Sequence, residues 1–166
     1  QFPIRKEYDM VFLGFINHIK EHFEQSVSIH IRRGDYLKSK PTDWYYYGNI
    51  ATPEYYKKSE NYIKSIVNSP IFYVFSDDIE WCKSNLSENN YVFVDCNNAH
   101  NSWRDMFLMS ICKHHIIANS SFSWWGSWLS NNRDGITIRP EKFLSNVDTK
   151  DFYPESWIKI ERDKNI

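Results

Sequence analysis

Apolar positions along this chain change their period several times, and each change marks an element. Residues 7–24 place Met10, Val11, Leu13, Ile16 and Ile19 at helical spacing, which predicts a helix with a mixed face. Ser26 to Arg32 reads SVSIHIR, an alternation of polar and β-branched residues that predicts a strand. A polar, tyrosine-rich loop is expected from Gly34 to Thr52. Thr52-Pro53-Glu54 then offers an N-cap with proline at the first helical position, opening a helix to about Val67. Ile71 to Phe75 is a short apolar run ending at Ser76-Asp77-Asp78, and a short helix through Trp81 and Cys82 should follow. Next come a strand at Tyr91–Val94, a helix from Ser102 to Lys113, a strand at His115–Ala118, a helix from Ser121 to Ser130 and a strand at Ile136–Ile138. The tail from Phe143 has no strong periodicity and is expected to wrap back over the fold.

Strands alternating with helices predict an α/β domain: a Rossmann-like parallel sheet with helices on both faces, spanning residues 1–166 as one unit. Composition agrees, since 166 residues with 42% hydrophobic and 25% charged side chains are the mixture of a soluble globular protein. A formal net charge of -1 provides no overall field to attract nucleic acid or anionic lipid, so a bound anion must be held by a local group of donors. No run approaches the roughly 20 apolar residues of a membrane span. Residues Gln1 to Tyr8 have no apolar signal core, and the chain is expected to be a piece cut from something longer. The three cysteines lack CxxC spacing and are odd in number, which fits a reduced, cytoplasmic setting, at most peripheral to an inner membrane. Seven tryptophans are expected mainly in the core.

Ligands of such sheets bind beyond the carboxyl ends of the strands, and three polar clusters fall there. In HIRRGD, His30–Asp35, side-chain alternation puts His30 and Arg32 on one side and Ile31 and Arg33 on the other. A guanidinium beside His30 offers two parallel donors to a diphosphate; the competing reading is an arginine paired with Asp35 to hold the loop. In SDD, Ser76–Asp78, a carboxylate can accept from ribose hydroxyls or a guanine N–H pair, cap the next helix, or bind metal, although no further ligand group lies nearby. We expect one of Asp77 and Asp78 to read the nucleotide and the other to cap. In NSSFSWWG, Asn119–Gly126, the hydroxyls of Ser120, Ser121 and Ser123 stand at a helix start, where free N–H groups attract anions; capping is the simpler role for any one of them. Trp124, Trp125 and Trp128 are expected to face the core. His18 and His22 lack the glutamate of a zinc motif and are expected on a solvated face, while His114 and His115 are expected to be structural. Asn85 and Asn119 match the glycosylation pattern only at chance level. Neither the ATP-binding phosphate loop nor the dinucleotide GxGxxG occurs.

HIRRGDY at His30–Tyr36, FSDD at Phe75–Asp78 and DMFLMSICKHHIIANSSFSWWGSWL at Asp105–Leu129 together resemble the motifs of glycosyltransferase family 11, in a form similar to its bacterial members. These are the α-1,2-fucosyltransferases, although the arginine motif alone also occurs in α-1,6- and protein O-fucosyltransferases. The resemblance implies the C-terminal, GDP-fucose-binding half of a two-domain GT-B enzyme that inverts at fucose and requires no metal or other cofactor. It implies Arg32 on the β-phosphate, His30 and Arg33 at the donor site, Asp77 or Asp78 on guanine or ribose, Ser120, Ser121 and Ser123 around the diphosphate, and Asp105 as a loop organiser. The acceptor would be the 2-hydroxyl of a galactose in a glycan, with Asp35 the positional candidate for catalytic base. The glycine-rich GNQMFQYA-like segment of the family's N-terminal, acceptor-side domain has no counterpart here, so that domain is expected to be missing from this chain. Alternatives are a protein O-fucosyltransferase, an enzyme for another GDP-sugar, a non-catalytic GDP-binding module, and an adhesion module displaying Arg33-Gly34-Asp35.

Overall fold

The computed structural model describes residues 6–161 except 88, 98 and 133. Six strands form one all-parallel sheet: β1 (Ser26–Ile31), β2 (Ile71–Ser76), β3 (Tyr91–Phe93), β4 (His114–Ile116), β5 (Thr137–Pro140) and β6 (Ile158–Ile160). Their order is β3-β2-β1-β4-β5-β6, so the sheet winds outward in both directions from β1. α1 (Lys6–Glu21) precedes β1, and α2 (Pro53–Ile66), α3 (Ile79–Asn85), α4 (Ser102–Ile111) and α5 (Ser121–Trp128) connect the successive strands from β1 to β5. This is the Rossmann-like arrangement expected from the alternating periods, and its topological switch point lies between β1 and β4.

Local chemistry sets the element ends. Thr52 caps α2 by accepting from the Tyr55 N–H, with Pro53 in the first turn. Asp78 caps α3 and Ser120 caps α5 in the same way. One core packs α2 and α3 on β1 and β2 through Val27, Ile29, Ile63, Phe72, Val74 and Cys82. A second packs α1 and α4 on the other face through Ile19, Tyr73, Phe75, Leu108, Met109 and Cys112. None of the three cysteines forms a disulfide.

Several expectations need correction. The tail supplies a sixth strand, which pairs Ile138 with Ile158 and Arg139 with Lys159. The tryptophans are not the core: none of the seven is fully buried, and Trp125 and Trp128 are about half exposed. The stripe that α5 buries is made of small residues, Ser123, Gly126 and Ser127. A Cβ on Gly126 would stand 2.9 Å from Met109 Sδ, so the close approach of α5 to α4 excludes larger side chains and turns the indoles outward. His18 is not on a solvated face either, because its Nδ1 lies 2.7 Å from the Tyr73 hydroxyl.

Candidate active site

A cleft of about 950 Å³ opens at the carboxyl ends of β1, β2 and β4, at the switch point. His30 and Arg32 from β1 and its following turn, Asp77 after β2, and Ser120 and Ser121 after β4 all line it. Each of the three sequence clusters therefore contributes to one concavity.

His30 is 4% exposed, and its Nδ1 has no hydrogen-bond partner among the described residues. Burial, aided by the neighbouring Arg32 charge, lowers its pKa to about 3, so the ring is neutral at physiological pH. Arg32 is held by two carboxylates: Nη2 and Nε approach Asp35 Oδ1 at 2.9 and 3.0 Å, and Nη1 lies 3.3 Å from Asp77 Oδ2. Asp35 is thus the partner of Arg32, not of Arg33. Arg33 turns to the other side, as strand alternation requires, where it lies 3.4 Å over the Trp81 ring and bonds Asp78 at 3.1 Å. Stacked in this way and about one-fifth exposed, it is not displayed as an adhesion tripeptide needs.

Of Asp77 and Asp78, one caps the next helix, as expected, and the other lines the cleft. Asp78 caps α3 and anchors Arg33. Asp77 accepts from the N–H groups of Arg33 and Gly34 at 2.8 and 2.9 Å and so fixes the turn that carries Arg32. Gly34 is required there, since a Cβ would come within 2.5 Å of that carboxylate. Of the three serines in the third cluster, Ser120 and Ser121 reach the cleft. Ser123 is buried, with its hydroxyl aimed at the carbonyls of Ala118 and Ser120, because the α-helical turn carries it to the packed face. Asn119 is 1% exposed and spends its amide on the carbonyls of Tyr47 and Phe143, which joins the two loops on the cleft rim.

Sequence reasoning gave Asp105 a loop role and did not place it in the cleft. It lines the wall together with Asn97, whose amide donates to it. Desolvation raises its pKa to about 6 against the opposing Asn97 bond. Aromatic rings complete the walls. Tyr36 stacks on Tyr47 at 4.7 Å and donates to the Asn119 carbonyl, and burial raises its pKa to about 12. Phe122, Phe143 and Phe152 also line the cleft. The Tyr-rich composition of residues 36–47 was the available signal for this lining.

Such a concavity combines a fixed guanidinium, a helix N-terminus, a neutral imidazole, a titratable carboxylate and aromatic faces, a set suited to a nucleoside diphosphate. The profile of Glycosyl transferase family 11 matches residues 5–161. The chain belongs to that family. Within family 11 it is 44% identical over 144 residues to an alpha-1,2-colitosyltransferase of Escherichia coli, covering 82% of this chain and 48% of that protein. It is 38% identical to the O-antigen biosynthesis glycosyltransferase WbnK of Escherichia coli, over 81% of this chain and 44% of the relative. The human galactoside alpha-(1,2)-fucosyltransferase 1 is 27% identical over 82% of the chain and 39% of its own length. The chain therefore spans about half the length of the curated family 11 relatives it matches. Among its described residues no helix is long and apolar enough to cross a membrane.

Proposed function

We propose that this chain carries the donor site of an inverting α-1,2-glycosyltransferase and binds GDP-fucose. The observation that supports this best is Arg32, held beside neutral His30 in the switch-point cleft that Ser120 and Ser121, at the N-terminus of α5, also line. In this reading the guanidinium and the first turn of α5, with Ser120 and Ser121, take the diphosphate. Asp105, once ionised, accepts the paired N–H donors of guanine, which adenine and uracil do not offer in that form. The tyrosine and phenylalanine walls enclose the nucleoside and sugar.

Transfer follows from these charges. The bond between the sugar and the β-phosphate breaks, and negative charge grows on the departing GDP, where Arg32 and the helix terminus stabilise it. The galactose 2-hydroxyl of a glycan attacks the opposite face of the anomeric carbon and gives up its proton. Asp35, 64% exposed on the turn beside Arg32, is the base we propose for that proton. The stabilising charges come from the protein, so the reading requires no metal, and EDTA is expected to leave binding unchanged.

A second donor is favoured by one observation, the higher identity to a colitosyltransferase than to the fucosyltransferases. Colitose is fucose without its 3-hydroxyl, so one hydrogen bond to that position would separate the two. Calorimetric titration with GDP, GDP-fucose, UDP and ADP tests the reading. Guanine nucleotides should bind selectively, and Arg32→Ala should weaken GDP about 100-fold, as loss of one partner from a charge-assisted pair does. Unchanged GDP binding by Arg32→Ala would sink it.

A further inference from the structure

A second cavity, about 520 Å³, opens at the carboxyl ends of β5 and β6, on the same rim of the sheet. The segment 141–152 runs between it and the donor cleft. Phe143 and Phe152 face the cleft, whereas Lys142, Ser145, Thr149 and Lys150 face the second cavity. Four cations line this cavity, Arg139, Lys142, Lys150 and Lys159, against the carboxylates of Glu141 and Asp148. Lys159 is paired with Glu161 at 2.7 Å. Lys142 and Lys150 form no ion pair among the described residues, and Asp148 turns its Oδ1 to the backbone N–H of Lys150.

Arg139 is the most informative of the four. Its Nη1 donates to the carbonyls of Pro140 and Glu141 at 3.2 and 3.1 Å, and its guanidinium lies 4.8 Å from the Tyr153 ring centre. Two carbonyls and an aromatic face fix the plane of the group, yet no carboxylate neutralises it among the described residues. Its Nε is buried without a partner, and Nη2 makes no hydrogen bond there. A partly buried guanidinium with a fixed plane and no counter-ion among the described residues is arranged for planar oxyanion recognition, and two lysines that form no ion pair there add to the field.

We propose that this cavity binds an anionic group, a phosphate or a carboxylate, carried by the acceptor saccharide. The donor's own diphosphate is accounted for around Arg32, so these cations serve another part of the reacting pair. A saccharide whose hydroxyl reaches the cleft passes Phe143 and Phe152 and meets the cavity next. Assigning the anion to the acceptor rests on the cleft being the donor site; the anion site itself does not.

The test is a two-dimensional NMR titration of the 166-residue chain saturated with GDP. The probes are methyl phosphate, methyl glucuronide, neutral methyl galactoside, and a galactose-terminated disaccharide bearing a phosphate at its far end. Both small anions should shift the resonances of Ser145, Thr149, Lys150 and Arg139 Nε, and the neutral galactoside should not. The anion that binds more tightly identifies the group as phosphate or carboxylate. The charged disaccharide should shift this set together with Phe143 and Phe152 at one concentration. Replacing both Lys142 and Lys150 by serine should weaken anion binding about tenfold and leave GDP affinity unchanged, and added salt should have the same direction of effect. Anions that bind no better than chloride, or unchanged affinity after the double replacement, would overturn the site. A disaccharide that shifts only one of the two sets would overturn its link to the acceptor. Failure of GDP to bind would instead refute the donor reading, while the anion shifts are read independently.

Discussion

On one face of β1, Val27, Ile29 and Ile31 pack into an apolar layer under α2 and α3, while on the other Ser26, Ser28 and His30 are just as deeply buried. The polar face is satisfied step by step toward the cleft. Ser26 donates to the Phe23 carbonyl and accepts from the Lys113 N–H, and Ser28 lies 2.9 Å from His115 Nδ1. The series ends at His30, whose Nδ1 has no partner among the described residues. The apolar face holds the sheet together by exclusion of water and makes no demand on pH. The polar face depends on particular hydrogen bonds and protonation states, and it delivers an unsatisfied group to the ligand site. Buried polarity here follows the route to function.

Acid should separate the two faces most strongly. His30 and His115 both have pKa values lowered to about 3 by burial, below the ordinary 6.5, so the unfolded chain takes up protons first. Their contribution is complete above about pH 6.5 and is lost as pH falls toward 3. Asp105, raised to about 6, works in the opposite direction between pH 6 and 4, since its folded form protonates more readily. The net loss should be about 4 kcal/mol between pH 7 and pH 4, read from urea midpoints, and a flat profile would contradict the burial of these rings.

Next in size is Ile29→Ala, which should cost about 3 kcal/mol at any pH, because it removes packed apolar volume. Ser28→Ala, on the opposite face one residue away, should cost about 1–2 kcal/mol at pH 7 by stranding His115, and as much at pH 5, where that ring is still neutral. No loss of stability in Ser28→Ala would erase the distinction between faces.

In the cleft, Asp105→Asn should weaken GDP about tenfold at pH 7 and relax its preference over ADP. Wild-type GDP affinity should rise as pH increases through 6, as the Asp105 carboxylate forms, and the variant should lack that rise. The smallest effect concerns Asp35. As an exposed partner occupying Arg32, its replacement by asparagine should tighten GDP about twofold to fivefold, in line with a surface ion pair worth under about 1 kcal/mol. Weaker GDP binding by that variant would mean the pair organises the site rather than competing for it.

The sheet and the three clusters were legible because their signals are local. SVSIHI alternates, Thr52-Pro53 starts a helix, and the polar runs directly follow β-branched strands. Alternation alone separated cleft-facing Arg32 from Arg33. What sequence missed depends on distant packing. β6 is three residues long and pairs only at the sheet edge, so its pattern is too short to read. The indoles of α5 have core-like spacing, but Met109 across the interface decides that only the Ser123, Gly126 and Ser127 stripe fits inward. Asp105 belongs to a helix start in the sequence, and only the surrounding fold desolvates it. The two carboxylates on Arg32 come from segments more than 40 residues apart.

The amide of Asn119, which joins the carbonyls of Tyr47 and Phe143, has an entropic consequence. Segments 34–52 and 141–157 would each lose conformational freedom if they first became ordered around a ligand, at roughly 1–2 kcal/mol per residue fixed. Tied to one buried side chain, they have already lost it during folding. A ligand entering the cleft then meets walls at their final separation, and its contact energy goes into affinity instead of into arranging the rim.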